Sequence, residues 1–190
     1  MNTPAHVIIN LLCLGREENQ GIIPSVVVGA ILPDAPMFVF YLIEKIIKQT
    51  PEDIIWQEAY YDRGWQNFID LFNSLPLILL ALTWSLYLGS KVGTLLCLSM
   101  VLHLLGDLPL HHEDAHRHFF PFSDWRFISP ISYWDPRYHG LMVAKLEILS
   151  VIASSILLAL GYDHWWSKGL LALIAIAYGS YFIYAWWMWG

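Results

Sequence analysis

The sequence predicts an all-α, multi-pass membrane protein with about four to five membrane-embedded helices, some short or broken by proline, around a site of His and Asp residues. Hydrophobic residues make up 57% of the 190 positions and charged residues only 14%, whereas soluble domains contain about 45–50% and about 25%. There are 10 Trp, 10 Tyr and 9 Phe, and such rings concentrate at membrane–water interfaces. The apolar runs are continuous rather than alternating, which favours helices over strands.

Charge and cysteine content exclude several classes of protein. The net charge of −6 is not that of a protein that binds phosphate backbones through clustered Lys and Arg, so we expect no direct nucleic-acid partner. Cys13 and Cys97 lie inside apolar runs, which is typical of small buried side chains rather than of a disulfide framework. We expect a single membrane-embedded domain over residues 1–190, with membrane lipids as its partners and no protein partner indicated.

The first predicted helix starts at Thr3-Pro4 and ends at Gly15, with Pro at its first position and Gly after its end. Its apolar run of about ten residues is too short to cross a bilayer. Thr3, His6 and Asn10 share one stripe of this helix because they follow the helical repeat. Such a polar stripe on an apolar helix is expected to face the protein interior or a cavity.

The second apolar segment, residues 22–32, is separated from a third, residues 37–47, by two prolines flanking Asp34. Irregular backbone at membrane depth is tolerated only where protein or water covers it, so this break is expected to be covered. Ser25 and Gly29 are four residues apart and predict a close helix–helix contact. Asp34 could act at a polar site or simply cap the helix that follows.

The rest of the chain alternates between polar and apolar stretches. Residues 48–67 predict a surface loop with a short interfacial helix, and a long polar loop covers residues 110–140. The two C-terminal spans, 141–160 and 169–189, are predicted most firmly, the latter because Trp clusters flank about 30 Å of helix. Glu147 is expected at the membrane interface. Two further apolar segments cover 68–88 and 92–105.

A cluster of His and acidic residues between positions 103 and 139 indicates a metal site. Imidazole together with carboxylate suits a divalent ion, with Zn²⁺ favoured over Mn²⁺ or Fe²⁺. His103 and Asp107 are four residues apart at the end of an apolar run and therefore share a helical face. The alternative is a neutral His bonded to Asp inside a helix bundle. The histidines of this cluster are His103, His111, His112, His116, His118 and His139.

The segment from His111 to His118 contains the candidate catalytic groups. Glu113, Asp114 and His112 are the candidate general acids or bases, and Arg117 could stabilise charge that develops on an oxygen. His116 is a further candidate ligand, since it shares a face with His112 if the helix continues through this stretch. A solvated loop can carry the same residues with no such role.

The order of several motifs resembles a bacterial family of inner-membrane-associated metal-dependent hydrolases, sometimes described as LexA-binding, with cyanobacterial and proteobacterial members. The resemblance covers residues 3–140 and includes an early His, a Leu-Pro-Asp motif and a His-x-x-x-Asp helix. It also includes a Pro-x-x-x-Trp-Arg-Phe segment. The matching positions are His6, Leu32-Pro33-Asp34, His103, Asp107, Pro121, Trp125, Arg126 and Phe127.

The resemblance implies a hydrolase of the bacterial inner membrane whose metal ligands include His6, Asp34, His103 and Asp107. The family has His before Ser at the position where this chain has Asn73-Ser74, so Asn73 could provide only a neutral carbonyl oxygen to the metal. A phosphoester or an amphipathic, lipid-like substrate is expected from the predicted membrane location. The alternatives are a scaffold that docks a partner through its His-rich loop, and a non-catalytic metal binder or transporter.

Overall fold

The computed structural model describes residues 1–15, 23–161 and 165–189. Every regular element in these ranges is helical, so the predicted all-α class is confirmed. A π-helical turn, Ile43–Ile47, continues α3, and short 3₁₀ turns cover Ala59–Tyr61 and Pro136–Tyr138. The α-helices are α1 (Thr3–Leu14), α2 (Ile23–Ile31), α3 (Ala35–Leu42), α4 (Glu52–Gln57), α5 (Arg63–Phe72), α6 (Leu75–Tyr87), α7 (Lys91–Asp107), α8 (Gly140–Gly161) and α9 (Trp165–Trp189).

Two segments in the described ranges are long and apolar enough to cross a membrane, Arg63–Tyr87 and Gly140–Gly161. The pair α2 and α3 with its π-helical turn adds a third if its 53° bend lies within one span. Helix α9 is continuous over 25 residues, but its described apolar part is the shorter Leu171–Ser180. The prediction that 169–189 is a span therefore stays a prediction, as does the total of four to five embedded helices.

Helix α7 packs against α1, α2 and α6 and forms the centre of the fold. The contact with α2 is close because Gly29 has no side chain: a Cβ there would lie 2.3 Å from the carbonyl oxygen of Leu96. Buried hydrogen bonds join the same helices. Ser99 Oγ donates to the carbonyl of Val26 at 2.6 Å, and the amide of Asn10 donates to Ser99 Oγ at 2.9 Å. The predicted close approach of α2 is confirmed.

Helices α1, α8 and α9 form a second packed layer. Its buried apolar side chains include Ala5, Ile8 and Val151. Glu147 on α8 is only 6% exposed, and it accepts hydrogen bonds from the Asn2 amide at 2.7 Å and the Tyr178 hydroxyl at 3.1 Å. These distant donors replace the water that the carboxylate would otherwise need, and the expectation that Glu147 lies at the membrane interface stays a prediction.

The proline break and the polar segment after it fold around one side of α3. Phe40 packs against Ile55, Tyr60 and Ile69, which come from α4, the following 3₁₀ turn and α5. The predicted surface loop over residues 48–67 is therefore a small helical cap with its own apolar core. Between α5 and α6 the chain bends at Ser74, whose hydroxyl caps α6 by accepting a hydrogen bond from the Leu77 amide.

The long loop after α7 folds back over the end of that helix. Backbone hydrogen bonds join Ser129 to His111 at 3.0 Å and Tyr133 to Leu110 at 2.9 Å. A further bond, from the Leu75 amide to the His118 carbonyl at 2.8 Å, ties the loop to the start of α6. The loop thus encloses polar side chains at the C-terminal end of α7, next to the break after α2.

Candidate metal centre

Three helix-borne side chains meet at the end of α7. His6 Nε2 lies 2.9 Å from Asp107 Oδ1, and His103 Nε2 lies 3.0 Å from Asp107 Oδ2. His6 and His103 are fully buried, and Asp107 is 2% exposed. One ligand atom from each residue lies within 4.8 Å of the others, close enough for one ion to bind all three. The predicted i, i+4 pairing on α7 and the inward-facing stripe of α1 are both confirmed.

The hydrogen bonding of His103 favours a ligand over a structural histidine. Its Nδ1 lies 2.7 Å from the Ala30 carbonyl oxygen, which can only accept, so Nδ1 carries the proton. Its Nε2 is buried without a hydrogen bond, yet faces the carboxylates of Asp107 and Asp34 at 3.0 and 3.4 Å. A protonated Nε2 pairs with these carboxylates, and an unprotonated Nε2 requires a metal cation there instead. Metal-bound histidines commonly donate to a carbonyl through the other ring nitrogen, as Nδ1 does here.

Asp34 reaches this cluster from the break between α2 and α3. Although it occupies the N-cap position of α3, its side chain makes no capping hydrogen bond. Instead Oδ2 accepts from the Thr3 hydroxyl at 2.5 Å, and Oδ1 faces His103. The side chain is 24% exposed. Between its two predicted roles, the structure therefore favours the polar site over the cap.

The rings of His6 and His103 stack in parallel, with centroids 3.6 Å apart and an interplanar angle of 12°. Two imidazolium ions would repel each other at that separation, so at least one ring is neutral and free to act as a ligand. Gly106 leaves room for the His6 ring, since a Cβ there would lie 3.3 Å from it. Two imidazoles with one or two carboxylates form a donor set that fits Zn²⁺ and also Mn²⁺ or Fe²⁺.

A second group of polar side chains lies beside the first, on the loop after α7. His111 Nδ1 is 3.0 Å from Asp114 Oδ2, and His111 Nε2 is 3.5 Å from Asp107 Oδ1. Burial lowers the pKa of His111, but the two carboxylates outweigh it and raise the pKa to about 9. Burial raises the pKa of Asp114, but His111 outweighs it and the net pKa is lowered. Burial, with the charges of His116 and His111, lowers the pKa of His118 to about 4.

The predicted catalytic and ligand residues of this loop occupy different places. His111 and His116 line a 220 Å³ cavity with Asp34 and Asp114. Glu113 instead borders a larger cavity and faces Arg137 at 3.5 Å. The helix ends at Asp107, so the expected shared face of His112 and His116 does not form, because the next residues turn into the irregular loop.

Three of the proposed site residues have structural contacts instead. His112 Nδ1 bonds to the Ser129 carbonyl at 2.5 Å, and its ring stacks on Tyr138. The Asn73 amide donates to the carbonyls of Pro33 and Ile69 at 3.0 and 3.1 Å. The metal role implied for Asn73, through its carbonyl oxygen, and the charge-stabilising role of Arg117 stay predictions.

Arg117 is held by a buried ion pair that the sequence did not reveal. Its Nε lies 2.5 Å from Asp70 Oδ2, and its backbone amide donates to Asp70 Oδ1 at 3.1 Å. Asp124 and Asn67 accept from the remaining guanidinium nitrogens. Asp70 also lies 3.6 Å from His116 Nδ1. These contacts join α5 to the loop and fix the position of His116.

We expect the variant Asp70→Asn to destabilise the protein by about 3 kcal/mol, because it leaves the Arg117 charge buried without its main partner. The control is Asp124→Asn. Asp124 binds the same guanidinium but its side chain is 79% exposed, so its loss should change stability little. Urea or thermal unfolding in detergent would measure both variants. Equal effects of the two variants would contradict the importance of the buried pair.

Two adjoining cavities open beside the group formed by His6, His103 and Asp107. The smaller, of 220 Å³, is lined by Asp34, His111, Asp114, His116 and Tyr133 among others. The larger, of 740 Å³, contains Trp56, Tyr60, Tyr61, Tyr133 and Trp134, with Glu113 and Asp114. Met37, Tyr60, Asp114 and Tyr133 border both. Sequence reasoning missed Tyr133, and no spacing or motif could have connected it to the site.

Comparison of the chain with protein-family models, with curated proteins and with solved structures gave no match. The resemblance to the inner-membrane hydrolases therefore stays a prediction, and any assignment of function depends on the geometry of the site.

Proposed function

We propose that this protein is a membrane-bound, metal-dependent hydrolase that acts at the membrane interface on a phosphoester or lipid-like substrate. The observation that supports this most directly is the orientation of His103. Its Nδ1 is fixed by the Ala30 carbonyl, and its Nε2 faces two carboxylates. His6, His103, Asp107 and Asp34 would hold a divalent ion, most simply Zn²⁺. When bound, the ion would supply Lewis acidity, which acidifies water and polarises an ester oxygen.

The chain's own residues support the other requirements of hydrolysis. Asp114 borders the smaller cavity together with Asp34 and is a candidate acceptor for a proton from water. Burial and nearby carboxylates, including that of Asp114, raise the pKa of Tyr133, so its phenol stays neutral and can donate a hydrogen bond to a substrate oxygen. The aromatic walls of the larger cavity would exclude water from the reacting bond.

The substrate class is inferred from the larger cavity and from the outer surface. No Lys or Arg is among the residues that line this cavity, and most of those residues are aromatic, which suits an uncharged or apolar part of a molecule. Large apolar side chains are exposed along α6 and α8, among them Leu80, Trp84, Leu149 and Leu160. An extensive exposed apolar surface is typical of lipid contact. Both features favour an amphipathic substrate that enters from the membrane.

The proposal is tested by metal analysis followed by a substrate screen. Detergent-purified protein should retain at least one equivalent of metal, measured by inductively coupled plasma mass spectrometry. Removing the metal with a chelator should abolish hydrolysis of phosphoester or lipid-ester substrates, and adding back Zn²⁺, Mn²⁺ or Fe²⁺ should restore it. A folded protein that binds none of these ions after reconstitution would reject the proposal, and so would metal-loaded protein with no activity against any ester class.

A metal transporter is the second candidate, because Asp34 lies at the break of the bent helix pair. Transporters place ion sites at interrupted helices near the membrane midplane, and this pair bends by 53°. Metal uptake into liposomes that contain the protein, without any hydrolysis, would favour transport over catalysis. Hydrolysis without uptake would favour the enzyme.

A further inference from the structure

His111 is the most unusual buried group outside the first cluster. It is 8% exposed, and neither of its ring nitrogens makes a hydrogen bond. Buried polar atoms in folded proteins almost always have partners, so two unpaired nitrogens on one ring require an explanation. One nitrogen faces Asp114 at 3.0 Å and the other faces Asp107 at 3.5 Å. The two carboxylates favour a positive charge at this ring, which a proton supplies when no metal is bound and which a divalent cation would supply in its place.

The neighbours of His111 provide the other ligands that such an ion needs. Asp114 has a second carboxylate oxygen, Oδ1, which is also buried without a hydrogen bond. The His116 ring lies 5.2 Å from the His111 ring, centroid to centroid. His111, Asp114 and His116 all line the 220 Å³ cavity that Asp34 of the first cluster also borders. Two imidazoles and a carboxylate therefore border the space beside the first site, with His116 Nδ1 facing Asp70 at 3.6 Å.

We propose that His111, Asp114 and His116 hold a second divalent cation in the cavity beside the first site. Asp107 lies next to both groups, because its Oδ1 faces His6, His111 and the Met1 ammonium, while Oδ2 faces His103. The Met1 ammonium offsets only part of the charge of the Asp34, Asp107 and Asp114 carboxylates, and divalent ions would balance the rest. The inference rests on the proposed hydrolase and makes its centre dinuclear, a design used for phosphoester cleavage.

The test is the metal stoichiometry of the full-length protein. Detergent-purified wild type, loaded with Zn²⁺ and desalted, should contain two equivalents. His111→Ala and Asp114→Asn should each contain one, and His103→Ala should also keep one. Asp124→Asn is the matched control, since it removes an exposed carboxylate of the same loop, and it should keep two. Circular dichroism would check the folding of each variant. Because the two variants change different residues, the test still holds if one of them misfolds.

A spectroscopic measurement separates a pair of ions from two unrelated sites. Mn²⁺-loaded wild type should give an exchange-coupled electron paramagnetic resonance signal, and His111→Ala should give the signal of isolated Mn²⁺. One equivalent in wild type, unchanged in His111→Ala but lost in His103→Ala, would overturn the second site and leave the proposed function intact. No metal in wild type would overturn both.

Discussion

The variant Asp107→Asn is expected to lose divalent metal affinity by at least about 100-fold, since even the outer partners of metal ligands change affinity by about 10–100-fold. Among the described residues, Asp107 is the carboxylate that lies close to His6, His103 and His111 together. Asn keeps the shape of the side chain but replaces one acceptor oxygen with an amide donor. Hydrolysis should be lost together with the metal. Competition titration with a chromophoric chelator would measure the affinity.

The control for this prediction is His112→Ala. It removes an imidazole from the same His-rich loop, but that ring bonds to the Ser129 carbonyl and stacks on Tyr138, so metal affinity should stay within a few-fold of wild type. If Asp107→Asn kept its metal while His112→Ala lost it, the ion would bind to the loop and not to the end of α7. Circular dichroism of both variants would exclude general unfolding as the cause.

The variant Gly29→Ala should destabilise the protein by about 2 kcal/mol, within the range of overpacked cores. The added Cβ would lie 2.3 Å from the Leu96 carbonyl oxygen and 2.8 Å from Ser99 Cβ. A backbone oxygen cannot rotate away, so α2 must move from α7. That movement would carry the neighbouring Ala30 carbonyl away from His103 Nδ1. Metal affinity should therefore fall as well, which thermal unfolding and chelator titration would measure together.

Gly179→Ala is the matched control for the helix-packing prediction. Gly179 is also a helical glycine, but no atom of the described part of the chain lies within 4 Å of the position that its Cβ would take. Alanine there should leave stability unchanged or raise it by about 0.5 kcal/mol, because it restricts the unfolded chain. Equal stability of the two variants would mean that the α2–α7 contact tolerates an extra methyl group, and the link between this contact and the metal centre would fail.

Local spacing was sufficient to predict the parts of the site that lie on regular helices. The i, i+4 repeat placed His103 and Asp107 on one face of α7, and the stripe of Thr3, His6 and Asn10 turned inward as expected. Both results follow from helical geometry, which fixes relative side-chain directions over one or two turns. Gly29 was recognised for the same reason, since a small residue on an apolar helix predicts a close neighbour.

The loop residues could not be assigned from sequence because no periodicity relates them to the helices. His111 and His112 are adjacent in the chain, but one faces the carboxylates of the site and the other bonds to the Ser129 carbonyl. Arg117 was expected to act on substrate, whereas Asp70, forty-seven positions earlier, binds it. The partner of each of these side chains depends on which distant groups the folded loop brings next to it.

Composition and periodicity were enough to predict the helical class, the apolar character of the segments and the inward faces of α1 and α7, because both act over short range. The tertiary structure alone decided that Asp34 meets His103 rather than capping α3. It also decided that Glu147 is buried against Asn2, and that His111 lies between two carboxylates. Each of these contacts joins groups from separate elements. A buried polar group needs a hydrogen-bonding or charged partner, and the packing of those elements decides which partner is near it.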